Sequence, residues 1–460
     1  MTFNSFNRKY PAVVTYISFC VPFFSIVSLN SYLNMYLFFY LQVYIGISAV
    51  LIFLPISIVN LAIPFLQPLL GSISDRNFPF TRNLGRRFFW ILVMGFQIPI
   101  FFVLVFWVPF SSGMMFVVVF TALLLLYNIA YSAFLTSYSA LLLNKFRNPK
   151  ERLLLGTVTE FISTFGLIII SFIAPMFISY GDASSIQFLT IPIAITFVAT
   201  LLLGIFGILE EKELIDTYFS PNLAPKNGLL KDMFKGFAIF KRKNFLVLLF
   251  RWIAFALFNL LFSSSLAYYF IDVLGASIYL MSIAYMGYYI WLLIALPISF
   301  LLSWFIGHLR VSIISGFALG VTLLVFSFVA NYLMAVILVS IIGFCLGLGM
   351  ASLIPLVGDV FDEHANINRK RSEGVSYGIL KMFGSLTVIL SSVITAVVQS
   401  ITGFIPWGPQ TPLALVGIRL LISIIPGIII IGVMIIFVVS YDLKPKKTEA
   451  IRMELKELEI

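Results

Sequence analysis

The chain has 460 residues, of which 61% are hydrophobic and 10% charged, with a mean hydropathy of +1.07 and a net charge of +10. That balance excludes a soluble globular domain and describes a polytopic membrane protein. It also sets aside a nucleic-acid partner, because the basic residues are scattered over short loops beside a bilayer that itself attracts cations.

Apolar runs of about 20–28 residues, built from blocks of Leu, Ile, Val and Phe without the ten-residue alternation of a barrel, predict membrane-spanning helices. Twelve are expected, near 11–40, 47–72, 88–110, 114–143, 153–180, 186–209, 244–272, 277–304, 311–330, 332–358, 375–403 and 413–441. The first run is too long and continuous for a cleaved leader, so it stays as helix 1. Helix 1 carries Asn30 and Asn34 one turn apart, near Ser28 and Ser31; helix 2 carries Asn60 and Gln67 about two turns apart, on either side of Pro64. Cys20 and Cys345 fall within spans and read as packing residues.

Between helices 2 and 3 the chain concentrates charge and glycine: Gly71-Ser-Ile-Ser-Asp75-Arg76, then Arg82, then Gly85-Arg86-Arg87. One charge at mid-bilayer costs roughly 2.5–3.5 kcal/mol on the insertion scale, so this hairpin lies in water. Asp75 sits just past the end of helix 2, whose dipole disfavours a carboxylate there, and it should seek a cation or the N-terminus of another helix. Arg76, Arg86 and Arg87 are the nearest candidates. Charge-assisted bonds that form in one state and break in the other would make these residues a gate. The plainer reading is that they flank spans and hold topology.

Helix 4 repeats Asn128, Ser132 and Thr136 every four residues, with Tyr127 and Tyr131 beside them. Helix 5 holds Glu160 about two turns in, and helix 11 holds Lys381 about two turns from Gly374, between Tyr377 and Ser385. Neither charge should face lipid. Burial suits Glu160 to proton coupling, although it could equally be a structural partner for a cation. Lys381 could counter that charge, contact an anionic substrate, or snorkel toward the interface. Helix 7 adds Asn259 and helix 8 adds Tyr285. Amides, hydroxyls and aromatic faces suit a neutral polyhydroxylated ligand. Polar groups that only bridge helices are the alternative.

Even helix number puts both termini on one side, and Lys and Arg crowd there: Arg8, Lys9, Arg76 to Arg87, Lys145 to Arg152, Lys212 to Arg251, Arg310, Arg369 to Arg371, and Lys444 to Lys447. The opposite loops, near Gln42, Ser111, Gly181, Ala276, Asn331 and Thr402, carry none, and only Arg419 lies toward that side. The crowded side is therefore cytoplasmic. The polar stretch 210–243, with Pro221 and Pro225, reads as a linker between bundles at 1–209 and 244–441, followed by a tail over 442–460. Worn echoes support a duplication: Gly307-His308-Leu309-Arg310 answers the first hairpin, and Arg369 to Glu373 answers Arg147 to Arg152.

The hairpin Gly71 to Arg87 resembles the helix 2 to helix 3 signature of the major facilitator superfamily. A second block, Asp359-Val-Phe-Asp362-Glu363 followed by Arg371-Ser-Glu373-Gly374-Val-Ser-Tyr377-Gly378, resembles the glycoside-pentoside-hexuronide:cation symporters, the melibiose-permease group. Gly417-Ile-Arg419, Pro426 and the tail Tyr441-Asp-Leu with Glu449-Ala-Ile-Arg452 to Glu459 resemble the same family's C-terminus. Gln67-Pro68 is also similar to sucrose-type carriers. The resemblance implies an all-α fold of twelve membrane helices in two pseudo-symmetric six-helix bundles. It also adds Asp359, Asp362, Arg371 and Glu373 to the gate. The family's two acidic cation-site positions on helix 2 correspond to Ile63 and Gln67, which bear no charge. Sodium is disfavoured there, because hard cations want several oxygens including a carboxylate. The acidic sugar position of helix 4 corresponds to Asn128, and the helix 11 lysine falls near Ser385, one turn past Lys381.

The reading is a secondary carrier of a sugar or glycoside working by alternating access, proton-coupled through Glu160. It would be a monomer in the plasma membrane, with a small-molecule substrate, no cofactor and no metal. The alternatives are an uncoupled facilitator, or an exporter of a lipid-like or amphipathic molecule, which 49 Phe residues would favour. A non-transporting sensor on a carrier scaffold is a further one. An enzyme is disfavoured by only two histidines, His308 and His364, with no metal cluster or nucleophile elbow, and ATP-driven transport by the lack of a P-loop pattern.

Overall fold

In the computed structural model of the chain, the described residues are 11–41, 47, 49–76, 78–79, 81–108, 113–178, 183–218, 237–276, 278–369, 371, 373–404 and 410–458. Arg8, Lys9, Gln42, Ser111, Gly181, Pro221, Pro225 and Lys370, with the middle of the expected linker, lie outside them. Among the described residues all regular structure is helical. Among those residues twelve helices are long and apolar enough to cross a bilayer. A backbone in hydrocarbon must satisfy its own N–H and C=O groups, and these apolar runs do so as helices.

The spans are α1 (Ala12–Phe39), α2 (Ala49–Ser74), α3 (Arg86–Phe106), α4 (Gly113–Lys145), α5 (Pro149–Phe177) and α6 (Ala183–Ile208). Then follow α7 (Lys243–Tyr268), α8 (Ile278–Ile306), α9 (His308–Phe326), α10 (Tyr332–Asn368, broken at Ser352), α11 (Glu373–Thr402) and α12 (Pro412–Ser440, through a π turn at Leu420–Ile424). A tail helix, α13 (Pro445–Glu457), ends the chain. Helix starts are written locally. The side chains of Asn148 and Thr411 accept from Lys150 and Ala414 N–H, and each precedes a proline whose missing N–H costs nothing in the first turn. That cap is why α5 begins at Pro149 and not near 153.

Helix α10 runs on to Asn368, ten residues past the expected end near 358, because its carboxylates find partners. Asp359 bonds His308 Nε2 at 2.9 Å and pairs with Arg452 of α13, while Glu363 accepts from Asn244 Nδ2 at 2.9 Å. Lys447 of α13 reaches Asp442 at 2.7 Å. Burial alone would raise the Asp442 carboxyl, but its bonds from Lys447 and Asn244 more than offset this and hold it below its ordinary range.

The chain forms two compact units. One gathers residues 1–238, 365–382 and 454–460; the other gathers 239–364 and 383–453. In the first unit α1 packs on α6, α2 on α4, and α3 on both α4 and α6. In the second the same pairings recur six helices later, as α7 on α12, α8 on α10, and α9 on both α10 and α12. The repeat extends to backbone detail. Gly85 before α3 has φ +100° and Gly307 before α9 has φ +87°, a region that favours glycine.

Buried cations close helix ends in the first unit. Lys145 Nζ donates to the carbonyls of Gly207 at 2.9 Å and Leu209 at 2.6 Å, at the C-terminal end of α6. Arg152 donates to Leu143 and Phe146 at the end of α4, each at 2.9 Å. Such cations satisfy the orphan carbonyls and oppose the negative end of the helix dipole.

Residues 365–382 join the first unit through a backbone-to-backbone approach of α2 to α11. A Cβ added to Gly71 would lie 2.2 Å from the carbonyl oxygen of Gly374, with only backbone in the way. Gly71→Ala should therefore force the two helices apart, at about 1–3 kcal/mol. Thermal unfolding in detergent should show a lower midpoint for Gly71→Ala, and an unchanged midpoint would contradict the close approach.

Candidate functional site

Helical periodicity puts Asn30, Leu33, Asn34 and Leu37 on one face of α1. With Ile56, Val59 and Asn60 of α2, and Leu124, Tyr127 and Asn128 of α4, they line a cavity of about 220 Å³ in the first unit. Five of the expected ligand residues, Asn30, Asn34, Asn60, Tyr127 and Asn128, thus share one space, which no charged side chain lines among the described residues. Tyr127 is fully buried and donates its hydroxyl to Asn30 Oδ1 at 3.3 Å. Its ring stacks on Tyr131 with centroids 5.9 Å apart. Asn128 Nδ2 donates to the Leu124 carbonyl at 2.8 Å.

The other expected ligand residues do not line this cavity. Gln67 is buried further along α2, where its carbonyl lies against α11; a Cβ on Gly378 would come within 2.6 Å of it. Lys381 is half-buried, with Nζ 5.5 Å from the centre of the Tyr377 ring and within electrostatic range of Glu160. In the second unit Asn259 is exposed, and Tyr285 donates its hydroxyl to the Ser263 carbonyl at 3.1 Å. Among the described residues no cluster of His, Cys, Asp or Glu could hold a metal ion.

The charged hairpin is a built structure. Helix α2 ends at Ser74, and Asp75 accepts from Arg87 Nη2 at 2.5 Å, while Arg86 Nη1 donates to the Asp75 main-chain carbonyl at 2.9 Å. The same carboxylate accepts from the backbone N–H groups of Gly374 at 3.3 Å and Val375 at 2.9 Å, in the first turn of α11. It therefore meets a cation and the positive end of a helix dipole together. Arg87 also lies 4.0 Å from Glu373, which pairs with Arg371 at 2.9 Å. Arg76 is half-buried at the same turn.

The expected gate residues divide between the two units. Arg371 and Glu373 join Asp75 and Arg87 in the first, whereas Asp359 and Asp362 turn to α13 in the second, Asp362 lying 4.0 Å from Arg452. Sequence reasoning missed Glu210. Its carboxylate accepts from the backbone N–H groups of Arg86 at 3.1 Å, Arg87 at 2.6 Å and Phe88 at 3.1 Å, so it caps α3 and fixes where Arg87 starts. A carboxylate 122 residues along the chain leaves no local signal of that role. His308 and Arg452 as partners of Asp359 were likewise illegible.

Twelve spans, a packing order repeated after six helices, and a polar chamber define a multi-pass membrane transporter of the major facilitator fold. The sequence profile of the family described as MFS/sugar transport protein matches residues 18–444, and the chain belongs to that family. Two solved structures are similar in fold. A variant of the E. coli fucose:proton symporter FucP shares 12% identity at a TM-score of 0.63, over 92% of this chain and 98% of that one. The major facilitator superfamily transporter FucP in the outward conformation shares 13% at the same score, over 91% and 98%. No curated protein matches the chain in sequence.

Removing Asp75 takes away a buried ionic bond and two helix-capping bonds, each worth about 1.5–3 kcal/mol to a charged group. Asp75→Ala should lower the transport rate at least tenfold while membrane abundance stays at the parental level. Unchanged turnover at matched protein would remove Asp75 from the transport cycle.

Proposed function

We propose that the protein carries a neutral sugar or glycoside across the plasma membrane by alternating access, coupled to protons, with both termini in the cytoplasm. The observation that carries this reading is the chamber lined by Asn30, Asn34, Asn60, Tyr127 and Asn128. Amides bond sugar hydroxyls as donor and acceptor, while Leu33, Leu37, Ile56, Val59 and Leu124 accept the apolar face of a ring. Its volume lies below the ~300–1,000 Å³ of pockets for drug-sized ligands, a size that suits a single sugar ring. The same lining speaks against a lipid-like cargo, whose chains offer no hydrogen bond to the amides that line it.

Coupling is assigned to Glu160, a membrane carboxylate within electrostatic range of Lys381. A proton arriving at Glu160 would leave Lys381 with less opposing charge, which changes the balance between conformations. Ile63 and Gln67 on α2 offer no carboxylate for sodium. The bonds of Asp75 with Arg87 and α11 serve in this reading as a gate, made in one state of the cycle and broken in the other. Lys and Arg concentrated on one side set the orientation.

Counterflow in proteoliposomes against a panel of mono- and disaccharides, with and without a pH gradient, tests the reading. Accumulation should follow the gradient in the parent protein. Glu160→Gln should keep counterflow and lose gradient-driven accumulation. Proton-driven accumulation that survives in Glu160→Gln would move the coupling site elsewhere, and counterflow indifferent to pH in the parent would make the protein an uncoupled facilitator.

A further inference from the structure

Helix α10 is one span made of two rods, and the two are held by different kinds of contact. Pro355 supplies the break. It has no N–H to offer the Ala351 carbonyl and its ring crowds that carbonyl, so the helix gives way at Ser352. The N-terminal rod, Tyr332–Ala351, is locked onto the backbone of α8. A Cβ added to Gly343 would lie 2.2 Å from the Tyr288 carbonyl oxygen, and one added to Gly347 would lie 2.5 Å from that of Leu292. The C-terminal rod, Leu353–Asn368, is held instead through its carboxylates, Asp359 by His308 and Arg452, and Glu363 by Asn244. Bonds of that kind can be exchanged for others, whereas close-packed backbones resist sliding.

The end of the N-terminal rod is closed by its neighbours. Ser299 of α8 donates to the Leu348 carbonyl at 2.8 Å, and the Gly349 carbonyl accepts from Ser352 Oγ at 2.9 Å and from Arg251 Nη2 of α7 at 3.1 Å. Arg251 is 1% exposed and lies over the Phe255 ring, 4.6 Å from its centre. Among the described residues no carboxylate pairs with it, and its Nε has no hydrogen-bond partner. A cation buried on those terms is a poor stabiliser, because an apolar side chain of similar size costs less to bury. We propose that α10 swivels at Ser352, and that Arg251 is the positioning residue that pins the N-terminal rod to α7 while the C-terminal rod, with Asp359 and Glu363, moves in the transport cycle. The inference rests on the alternating-access reading and names a moving part within it.

Two measurements on the full-length protein test it, with the buried Cys20 and Cys345 replaced by alanine. In nanodiscs, spin labels at Met334 and Ile367, both exposed on α10, span the break. They should give a distance distribution with two maxima, which Pro355→Ala merges into one near the ~50 Å of a straight helix of that span. Labels at Phe250 of α7 and Met334 should give one narrow distance, which Arg251→Met broadens. In proteoliposomes, Arg251→Met should slow counterflow of labelled D-glucose, D-galactose or D-mannose at least tenfold with KM changed less than threefold, while the thermal midpoint stays level or rises. Arg251→Lys should restore part of the rate. An arginine with a merely structural role would give the reverse, a lower midpoint at an unchanged rate per folded molecule. A single Met334–Ile367 distance in the parent protein, or parental counterflow in Arg251→Met, overturns the inference and leaves the sugar reading standing. Absence of counterflow by every neutral sugar in the parent overturns that reading instead, and the label distances then decide the swivel alone.

Discussion

The Asp75 carboxylate is where the geometry of the first unit converges. It stands just past the end of α2, where the dipole of its own helix repels it. It is held there because Arg87 meets it from one side and the N–H groups of Gly374 and Val375 from another. Each partner is in turn fixed. Glu210 caps the three backbone N–H groups that set the start of α3, and therefore of Arg87; Gly71 lets α11 come within backbone contact of α2. Four separated segments thus agree on the position of one negative charge.

Close backbone approach explains the glycines, and buried charge explains the arginines. Arg87 and Arg152 are almost wholly shielded from solvent, yet both are satisfied by carboxylates or helix-end carbonyls, as buried cations must be. In the second unit the corresponding task falls to different chemistry. Asp359 takes a histidine and a tail arginine, and α13 is drawn onto the end of α10. Shared packing order with unlike charge partners is what an old duplication leaves when each half is free to find its own pairs.

The chamber depends on the opposite principle. Three asparagines and a tyrosine from α1 and α4, with Asn60 of α2, share one space in which the described lining side chains are uncharged, which keeps the desolvation cost small. Asn128 is held by the Leu124 carbonyl one turn earlier, and Asn30 bonds the Tyr127 hydroxyl. Glu160 and Lys381, which lie within electrostatic range of each other, are not among the side chains that line it.

Much of this was legible in the residues. Span number followed from hydropathy, and the pair Asn30/Asn34 and the stripe Asn128, Ser132 and Thr136, of which Asn128 lines the cavity, from a period near 3.6, because both depend only on neighbours along one helix. The need of Asp75 for a cation or a helix N-terminus was also readable. Which helix answered it was not, since the answering N–H groups lie 299 and 300 residues away. Glu210 and the extension of α10 over Asp359 and Glu363 were hidden for the same reason. Local sequence determines which groups each helix presents and on which face, whereas the meeting of those groups is a property of packing between segments distant in the chain, and only the tertiary structure decides it.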